Sequence, residues 1–433
     1  MPGRFNLFQR TMAHWDSLHP YVAVHVTQVD QPLDWARLED VLQALLRRRG
    51  LGPIRVDRRS GRFEYSPPTG RIPVETVSGS DTHPHILARE IESQINRPFD
   101  TSGPFVPFRV FVVPTGSGFL LGLAYWHPVA DAETVVLFLR DLLAHYRGDA
   151  GAESTHPAPA LYPSPWVLRR ARHWLAAVRK LLAWPAQMRR MRRSFRLPDP
   201  RPDDLSNGYR WFSLTPDQFD ALRATARAWE VTVNDLWLAL LLLGISAVTG
   251  AERRLGRRHQ LSAGCVVNLR HDLDVVGEAV FGLFLGSFAV SHPVPETATL
   301  ESLARDLRSQ TASIKRNQLY LGASVDLAIA RMAQRILSPR RQSRFYTKHH
   351  PLCGGITNLN LNRLDSLGGT PPFSDYLRGV STGPATPLVL SVTTVGERMN
   401  VGISFRPSVF PPDRIDAFER ALRAALPSTT PPH

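Results

Sequence analysis

The stretch LLGLAYWHPVADAETVVLFLRDLL, residues 120–143, joins an apolar run to an amphipathic helix pattern. The run predicts a buried strand, and Pro128 forces the chain out of it. Asp131 is a suitable N-cap for the helix that follows, and Glu133 places a negative charge in its first turn. His127 is therefore expected at a strand-to-loop junction beside the core.

The spacing of His127 and Asp131 has a functional and a structural interpretation. A histidine with an ordinary pKa at such a junction is a usable general base. An aspartate at an N-cap, in contrast, is explained by its hydrogen bonds to backbone N–H groups, without any catalytic role. The spacing alone does not separate the two, because His145 and Asp149 repeat it. That second pair falls at the predicted end of the helix, where a basic residue suits the C-terminus, and we interpret it as structural.

Length and composition indicate a globular protein. The chain has 433 residues, 43% of them hydrophobic and 21% charged, which is enough for two core-forming units. The longest apolar run, residues 236–248, is too short to span a bilayer, and the N-terminus lacks a secretory signal pattern. We therefore expect a cytoplasmic monomer.

Cysteine and histidine usage predicts neither a disulfide nor a metal site. Cys265 and Cys353 lie far apart without a C-x-x-C companion, so buried free thiols are expected. Two histidine pairs come without an HExxH pattern or a matched carboxylate, and we interpret them as surface residues. These pairs are His83 with His85, and His349 with His350.

Strand and helix patterns are mixed along both halves of the chain. Residues 21–29 alternate as a half-buried strand, and residues 33–50 have helical spacing that ends at a glycine. A long helical stretch over residues 300–337 precedes a hairpin pattern over 387–407 and a terminal helix over 411–426. Because the regular alternation of a doubly wound sheet is missing, we predict an α+β fold.

The composition changes abruptly over residues 157–207. Within this part, residues 165–196 carry ten Arg or Lys and no Asp or Glu, with an apolar stripe at helical spacing. Pro185 is expected to break or kink the helix. We interpret the segment as a crossover, which divides the chain into an N-terminal lobe (1–156), the basic crossover (157–207) and a C-terminal lobe (208–433).

Three hypotheses for the basic segment remain open. It is a solvated crossover without a partner, an interfacial helix with Trp166, Trp174 and Trp184 at an anionic membrane, or a docking patch for an acidic carrier protein. The formal net charge of +14 favours an acidic partner but does not choose among them. Nucleic acid is disfavoured, because no recognised nucleic-acid module accompanies the charge.

Motifs along nearly the whole chain resemble the superfamily of condensation domains and related acyltransferases, which includes the plant BAHD acyltransferases and the wax ester synthases. Each motif is weak alone, but their order is that of the superfamily. The motifs are INRPFDTSGPFVPFRVFVV (95–113), WHPVADAETVVLFLRDLL (126–143), ARAWEVTVNDLWLALLL (226–242), CVVNLR (265–270), FGLFLGSF (281–288), GGITNLNL (354–361) and VGISFRPSVFPPDRIDAFERAL (401–422).

The resemblance implies a fold and roles for three residues. It implies two lobes like those of chloramphenicol acetyltransferase, with mixed sheets flanked by helices, in a V around a central tunnel that contains an HHxxxDG motif. His127 matches the second histidine of this motif, and Asp131 matches its aspartate. Arg270 matches the arginine of an N-x-R element. By this resemblance His127 is the general base, and Asp131 pairs with Arg270 to hold the lobes in register.

Several positions depart from the motif or are only candidates. Trp126 stands at the first histidine and Ala132 at the final glycine, and Pro128 is an unusual neighbour for the base. Attack on a thioester needs hydrogen-bond donors for the oxyanion. The candidate oxyanion donors or tunnel-lining residues are Trp126, Thr357, Asn358 and Ser404.

The resemblance implies a free-standing acyltransferase. The acyl donor is expected to be acyl-CoA or an acyl group on the phosphopantetheine of an acyl carrier protein. The acceptor is expected to be a hydroxyl or amine of a natural product or lipid, and no permanently bound cofactor is needed. The alternative is a catalytically degenerate module that docks a carrier protein or recruits a partner enzyme.

Overall fold

The computed structural model describes residues 2–68, 70–77, 83–148, 171–273, 281–334, 337–364 and 372–428. Its strands are β1 (Pro2–Arg4), β2 (Val22–Val29), β3 (Ile54–Asp57), β4 (Arg62–Tyr65), β5 (Val74–Thr76), β6 (Phe108–Pro114), β7 (Phe119–Trp126), β8 (Gly208–Ser213), β9 (Leu261–Asn268), β10 (Leu285–His292), β11 (Gly354–Asn360), β12 (Tyr376–Val380), β13 (Leu388–Val395) and β14 (Arg398–Phe405).

The helices alternate irregularly with these strands. They are α1 (Leu7–Asp16), α2 (Trp35–Arg49), α3 (His83–Asn96), α4 (Ala132–Arg147), α5 (Ala171–Arg193), α6 (Pro216–Ala228), α7 (Val233–Ala247), α8 (Gly250–Leu255), α9 (Arg270–Leu273), α10 (Leu300–Arg316), α11 (Ala323–Gln334), α12 (Pro339–His349) and α13 (Pro412–Ala424). The predicted α+β class is confirmed.

Two mixed sheets form the framework. The N-terminal sheet has the strand order β12-β2-β7-β6-β5, with only the β5–β6 pair parallel. The C-terminal sheet has the order β10-β9-β11-β13-β14-β8, and β11 runs parallel to both of its neighbours. A third sheet is antiparallel, with the order β1-β4-β3. The sequence of β13 and β14 predicted their hairpin, which is confirmed.

Strand β12 joins the two halves of the chain. It follows β11 in sequence but pairs with β2 at the edge of the N-terminal sheet, where Arg378 lies opposite His25. The C-terminal sheet approaches it closely, since a Cβ on Gly402 would lie 2.3 Å from the carbonyl oxygen of Arg378. The predicted lobe boundaries at residues 156 and 207 stay predictions, with the addition that the second half contributes a strand to the N-terminal sheet.

The junction between β7 and α4 folds as its sequence predicts. β7 ends at Trp126, and α4 begins at Ala132. Asp131 is the N-cap, and its Oδ1 accepts a hydrogen bond of 3.0 Å from the backbone N–H of Thr134. The helix ends at Gly148, whose φ of 79° lies in the left-handed region that favours glycine. The strand and the helix thus fix the loop that carries His127.

The most apolar run of the chain is a core helix. Residues of α7, including Leu236 and Leu242, are buried among side chains of the C-terminal sheet, and Gly244 of α7 lies against Phe418 of α13. No single described helix is long and apolar enough to cross a bilayer. Only α6 and α7 together reach that length, and they are bent by 107°.

Pro185 does not break α5. The helix continues through the proline, and its face with Ala176 and Met191 is buried on both sides of it. A second helix prediction was wrong. The stretch predicted as one helix over residues 300–337 contains α10 and α11. Gln318 separates them with a left-handed φ of 52°, which a continuous helix does not allow.

Candidate active site

His127 lies where β7 leaves the N-terminal sheet. Its backbone N–H donates to the carbonyl of Tyr21, which continues the pairing of β7 with β2. The imidazole stacks on the ring of Tyr21 at 5.4 Å between centroids and 10° between planes, and meets Tyr125 edge-on at 5.7 Å. These contacts fix the plane of the imidazole.

One hydrogen bond decides which nitrogen of His127 is available. Nδ1 lies 3.0 Å from the carbonyl oxygen of Ala130. Because a carbonyl only accepts, Nδ1 carries the hydrogen in the neutral ring and Nε2 keeps its lone pair. Burial lowers the pKa of His127 below 6.5, although the Ala130 carbonyl opposes this effect. The ring is therefore neutral near pH 7, with Nε2 able to accept a proton.

Asp131 is occupied on both carboxylate oxygens. Arg270 donates to Oδ2 from Nη1 at 2.8 Å and to Oδ1 from Nη2 at 2.9 Å. The backbone N–H groups of Thr134 and Phe284 donate to the same carboxylate. The side chains of Asp131 and Arg270 are 1% and 4% exposed, so this pair is closed to solvent. Asp131 has no oxygen directed at a substrate.

Further bonds tie the start of α4 to the segment between β9 and β10. The backbone N–H of Asp131 and the hydroxyl of Thr134 both donate to the carbonyl of Gly282, and Asn268 donates to Glu133. On its other side, the loop is held by Gln9 of α1, whose Nε2 donates to the carbonyl of Pro128 at 2.9 Å. The loop that carries His127 is thus fixed by both halves of the chain.

A cavity of about 1060 Å³, counting its open mouth, lies between the two large sheets. His127 is part of its wall. The N-terminal sheet contributes residues of β2, β7 and β12, the C-terminal sheet contributes residues of β9, β10, β11 and β13, and α1 contributes Phe8, Met12 and Trp15. A base in the wall of a largely apolar cavity between two sheets has the arrangement of an active site.

The first departure from the motif leaves the cavity unaffected. Trp126 is fully buried between Phe5 and Phe105, with ring centroids 5.9 and 5.3 Å away, and is absent from the cavity wall. Its Nε1 has no partner in the described part of the chain. Ala132, in contrast, lines the cavity. Trp126 is therefore core, and the methyl group of Ala132 faces the space where a substrate would lie.

The three remaining candidates lie in different places. Thr357 of β11 lines the cavity. Asn358, the next residue, faces a separate pocket with Arg223 and Lys315. Ser404 of β14 is fully buried, and its Oγ accepts from the backbone N–H of Val380 at 3.4 Å, outside the cavity wall. Of these three, only Thr357 lines the same cavity as His127.

A polar cluster in the same wall was not predicted from the sequence. Nδ1 of His25 lies 2.8 Å from the hydroxyl of Tyr376, and its Nε2 lies 3.4 Å from that of Tyr125. Burial holds the pKa of His25 well below 6.5. A signal was available, because alternation over residues 21–29 puts Tyr21 and His25 on one face. Tyr376 of β12, the partner of His25 from the second half of the chain, gave no such signal in the sequence.

Arg378 of β12 is the second residue that the sequence did not reveal. It lines the cavity, is 3% exposed, and donates to Thr357 and Thr393 and to two backbone carbonyls. Burial lowers its pKa to about 10. No charged side chain of the described residues pairs with it, which makes it unlike Arg270.

The other histidine and cysteine predictions have the following outcomes. His145 bonds through Nδ1 to the carbonyl of Asp141 in the last turns of α4, and its spacing partner Asp149 lies outside the described residues. Cys265 and Cys353 are confirmed as buried free thiols. Within the described ranges, no three His, Cys, Asp or Glu side chains are grouped as metal ligands. His85 and His349 are exposed as predicted, whereas His350 is half-buried, and burial lowers its pKa.

A comparison with protein families decides the relationship. The condensation-domain family matches residues 12–325. The chain belongs to the condensation-domain family. This span includes the HxxxD loop, Arg270, four of the five strands of the N-terminal sheet and three of the six strands of the C-terminal sheet. Condensation domains form amide or ester bonds by acyl transfer.

Solved structures agree on the fold. The EpoB cyclization-docking bidomain from Sorangium cellulosum matches with a TM-score of 0.69 and 16% identity over 98% of this chain and 84% of that one. The first condensation domain of the calcium-dependent antibiotic synthetase, bound to a substrate analogue, gives 0.68 and 17% over 99% and 98%. The condensation domain of the Monacolin K polyketide synthase MokA gives 0.64 and 14% over 98% of this chain and 96% of that one.

These condensation-type structures include different reactions on one fold. The epimerization domain from the third module of tyrocidine synthetase B also matches, with a TM-score of 0.65 and 12% identity over 98% of this chain and 95% of that chain. A search of curated proteins found no match. Because one fold hosts several activities, the function has to be argued from the site.

Proposed function

We propose that the protein transfers an acyl group from a thioester to a hydroxyl or amine, with His127 as the general base. The acyl donor is acyl-CoA or an acyl group on the phosphopantetheine of a carrier protein. The acceptor is a small natural-product or lipid molecule that enters the cavity between the sheets. The product is an ester or an amide.

The observation that carries this proposal is the hydrogen bond from Nδ1 of His127 to the carbonyl of Ala130. It leaves Nε2 as the unprotonated nitrogen in the cavity wall, where it removes the proton from the acceptor as a new bond forms to the thioester carbonyl. The carbon–sulfur bond then breaks, and the imidazolium returns its proton to the leaving thiolate. Acceptor and thioester thus become acylated acceptor and free thiol.

Residues around His127 support this chemistry without reacting themselves. Asp131 and Arg270 hold the loop by their buried ion pair, so that the base keeps its position. Thr357 lines the same cavity, but its hydroxyl is hydrogen-bonded to Arg378, and this proposal gives it no oxyanion role. Asn358 and Ser404 have no part in this proposal, because their side chains lie elsewhere.

We also infer that α5 contacts an anionic membrane surface. Its apolar stripe, between 48% and 77% exposed, repeats at helical spacing on the face opposite Ala176. The stripe is Trp174, Leu175, Val178, Leu181 and Leu182. Six arginines, one lysine and no acidic residue accompany it in α5, and an exposed apolar stripe beside cations is typical of an interfacial helix. Trp166 lies outside the described residues.

The function is tested by thiol release from acyl-CoA thioesters of several chain lengths, with hydroxyl and amine acceptors. His127→Ala should lower kcat/KM by at least about a hundredfold, since a positioned general base contributes that much. His145→Ala is the matched control, because His145 also bonds a backbone carbonyl but lies outside the cavity. Equal product from wild type and His127→Ala would show that His127 is not the general base. A protein that binds carrier but never releases thiol would instead be the degenerate module.

A further inference from the structure

Four arginines in the described part of the chain are buried, and two of them have acidic partners. Arg270 pairs with Asp131, and Arg406 pairs with Asp199. Arg253 and Arg378 have no acidic partner among the described residues. A buried charge is costly unless hydrogen bonds or an opposite charge compensate it, so each of these two needs an explanation.

Arg253 is compensated by neutral acceptors. Each of its five N–H groups donates, to the hydroxyl oxygens of Thr249 and Ser246 and to three backbone carbonyls. It is absent from the wall of the cavity. This arginine is therefore a structural cross-link, and nothing about it requires a ligand.

Arg378 has the same burial but an incomplete set of partners. Nε donates to Thr393 Oγ1 at 2.8 Å, and Nη2 donates to the carbonyls of Val392 at 2.6 Å and Thr357 at 3.1 Å. Nη1 makes one long bond of 3.3 Å to Thr357 Oγ1, so one of its two N–H groups has no acceptor within the described residues. Unlike Arg253, Arg378 lines the cavity that contains His127.

We propose that Arg378 and Thr357 bind a carboxylate of the acceptor, which makes the acceptor a small free acid that carries a hydroxyl or amine. This inference rests on the proposed function. The carboxylate supplies the missing acceptor for Nη1 and the missing negative charge. The hydroxyl of Thr357 accepts from Arg378 and has its own hydrogen to donate to the same carboxylate.

The sheet register separates this subsite from the oxyanion. Arg378 lies opposite His25, and His127 follows β7 opposite Tyr21, two strands across and four residues along. Strand spacing and rise put the Cα atoms of Arg378 and His127 about 16 Å apart. Their side chains line one cavity, so a molecule can reach both. The carboxylate of the acceptor then lies several bonds from the hydroxyl or amine that attacks. The oxyanion, in contrast, forms on the thioester carbon that this group attacks, so the two anions occupy different places.

The walls around Arg378 favour an anion over a neutral group. No acidic side chain among the described residues pairs with Arg378. Its surroundings are the buried hydroxyls of Tyr125, Tyr209 and Tyr376 and the imidazole of His25. The pKa of His25 is held well below 6.5, so His25 is neutral and does not compete for the anion. Burial weakens solvent screening, so a carboxylate here gains more from the cation than it would at the surface.

The test compares acids with their amides as acceptors. The probes are ω-hydroxy alkanoates from the propanoate to the octanoate and the matched primary amides, with one acyl-CoA donor that the wild type turns over. Wild type should prefer the acid over the amide by about tenfold or more in kcat/KM at the best length, and Arg378→Met should reduce this preference to about twofold or less. Equal use of acid and amide at every length, or an undiminished preference in Arg378→Met, overturns the proposal.

The donor is the other source of a carboxylate, and a second arm separates it. Succinyl-CoA is compared with butyryl-CoA in wild type and Arg378→Met. Under the proposal, Arg378→Met leaves the ratio of the two donors unchanged within about twofold, because the anion belongs to the acceptor. If the donor ratio depends on Arg378 and the acceptor ratio does not, the assignment to the acceptor is wrong.

Binding is measured on the His127→Ala protein by titration calorimetry, so that the subsite is tested without turnover. The acid should bind about tenfold more tightly than its amide, and Arg378→Met in the same background should remove the difference. If neither wild type nor any variant releases thiol, the proposed function is contradicted. The calorimetric comparison of acid and amide still decides whether Arg378 binds a carboxylate. Arg378→Lys, which keeps the charge, guards against misfolding, and Arg253→Lys is the control that should lower stability without changing the acid preference.

Discussion

Asp131 and Arg270 form a doubly hydrogen-bonded ion pair that connects the start of α4 to the segment after β9. The same carboxylate caps α4, because its Oδ1 also accepts from the N–H of Thr134. The structural and the family-based interpretations of Asp131 therefore describe one arrangement. Its two roles can be separated by substitution, since asparagine caps a helix as well as aspartate does but carries no charge.

Asp131→Asn should lower the free energy of unfolding by about 3 kcal/mol, because Arg270 would remain buried without its counter-charge. The measurement is urea unfolding followed by circular dichroism. Asp34→Asn is the matched control: Asp34 caps α2 by the same bond to a backbone N–H but is exposed, so its loss of charge should change stability by less than about 0.5 kcal/mol. Similar effects at both sites would contradict a special role for the ion pair.

The acid limb of activity should lie below pH 6.5. His127 acts as a base only when neutral, and burial lowers its pKa from 6.5, so the neutral form persists to lower pH than in an exposed histidine. The measurement is kcat/KM against pH for thiol release. A limb centred above pH 6.5 would mean that another group controls the rate.

Stability should fall with acid over the same range. Burial depresses the pKa values of both His25 and His127 in the folded protein, so the unfolded chain binds protons first as the pH drops below 6.5. The stabilisation is therefore complete above pH 6.5 and is lost as the pH falls toward the folded-state values. Urea unfolding between pH 7 and pH 5 should show this decrease, and His25→Gln should make it shallower. An unchanged slope in His25→Gln would assign the decrease to other groups.

Local sequence sufficed where neighbours in the chain determine structure. The strand before His127, the cap at Asp131 and the hairpin of β13 and β14 follow from periodicity and turn residues alone. The position of Arg378 does not, because β12 pairs with β2, more than 340 residues earlier in the chain. Its surroundings come from β11 and β13, and no local pattern in DYLRGV indicates them.

The candidate oxyanion residues show the same limit. Thr357 and Asn358 are adjacent in β11, so alternation places them on opposite faces, and only one could line the cavity. Which face meets the cavity depends on how the two sheets approach each other. Ser404 is buried for the same reason, since β14 lies against β12. Sequence order identified β11 as a cavity strand but not which of its faces points inward, and β14 contributes no residue to the cavity wall.

Restoring the family histidine at Trp126 should not raise activity. The indole is fully buried between aromatic rings and absent from the cavity wall, so Trp126→His should cost about 3 kcal/mol of stability and leave kcat/KM no higher. Trp126→Phe is the control, because it keeps the aromatic packing and removes an N–H that has no partner among the described residues. Thermal unfolding and thiol release check both. A gain in kcat/KM for Trp126→His would bring position 126 into the site.

The apolar stripe of α5 should bind anionic vesicles. Leu182, the most exposed member at 77%, is replaced in Leu182→Glu, which puts a negative charge against an anionic surface and should lower the bound fraction about tenfold. Co-sedimentation with vesicles of phosphatidylglycerol and phosphatidylcholine measures this. Leu255→Glu is the matched control, because Leu255 is 90% exposed on α8, away from the stripe, and should bind like wild type. Wild type that binds no vesicle would reject the membrane and leave a solvated crossover or an acidic carrier protein. Binding that persists in Leu182→Glu would place the contact outside the stripe, and equal wild-type binding to pure phosphatidylcholine would reject the requirement for anionic lipid.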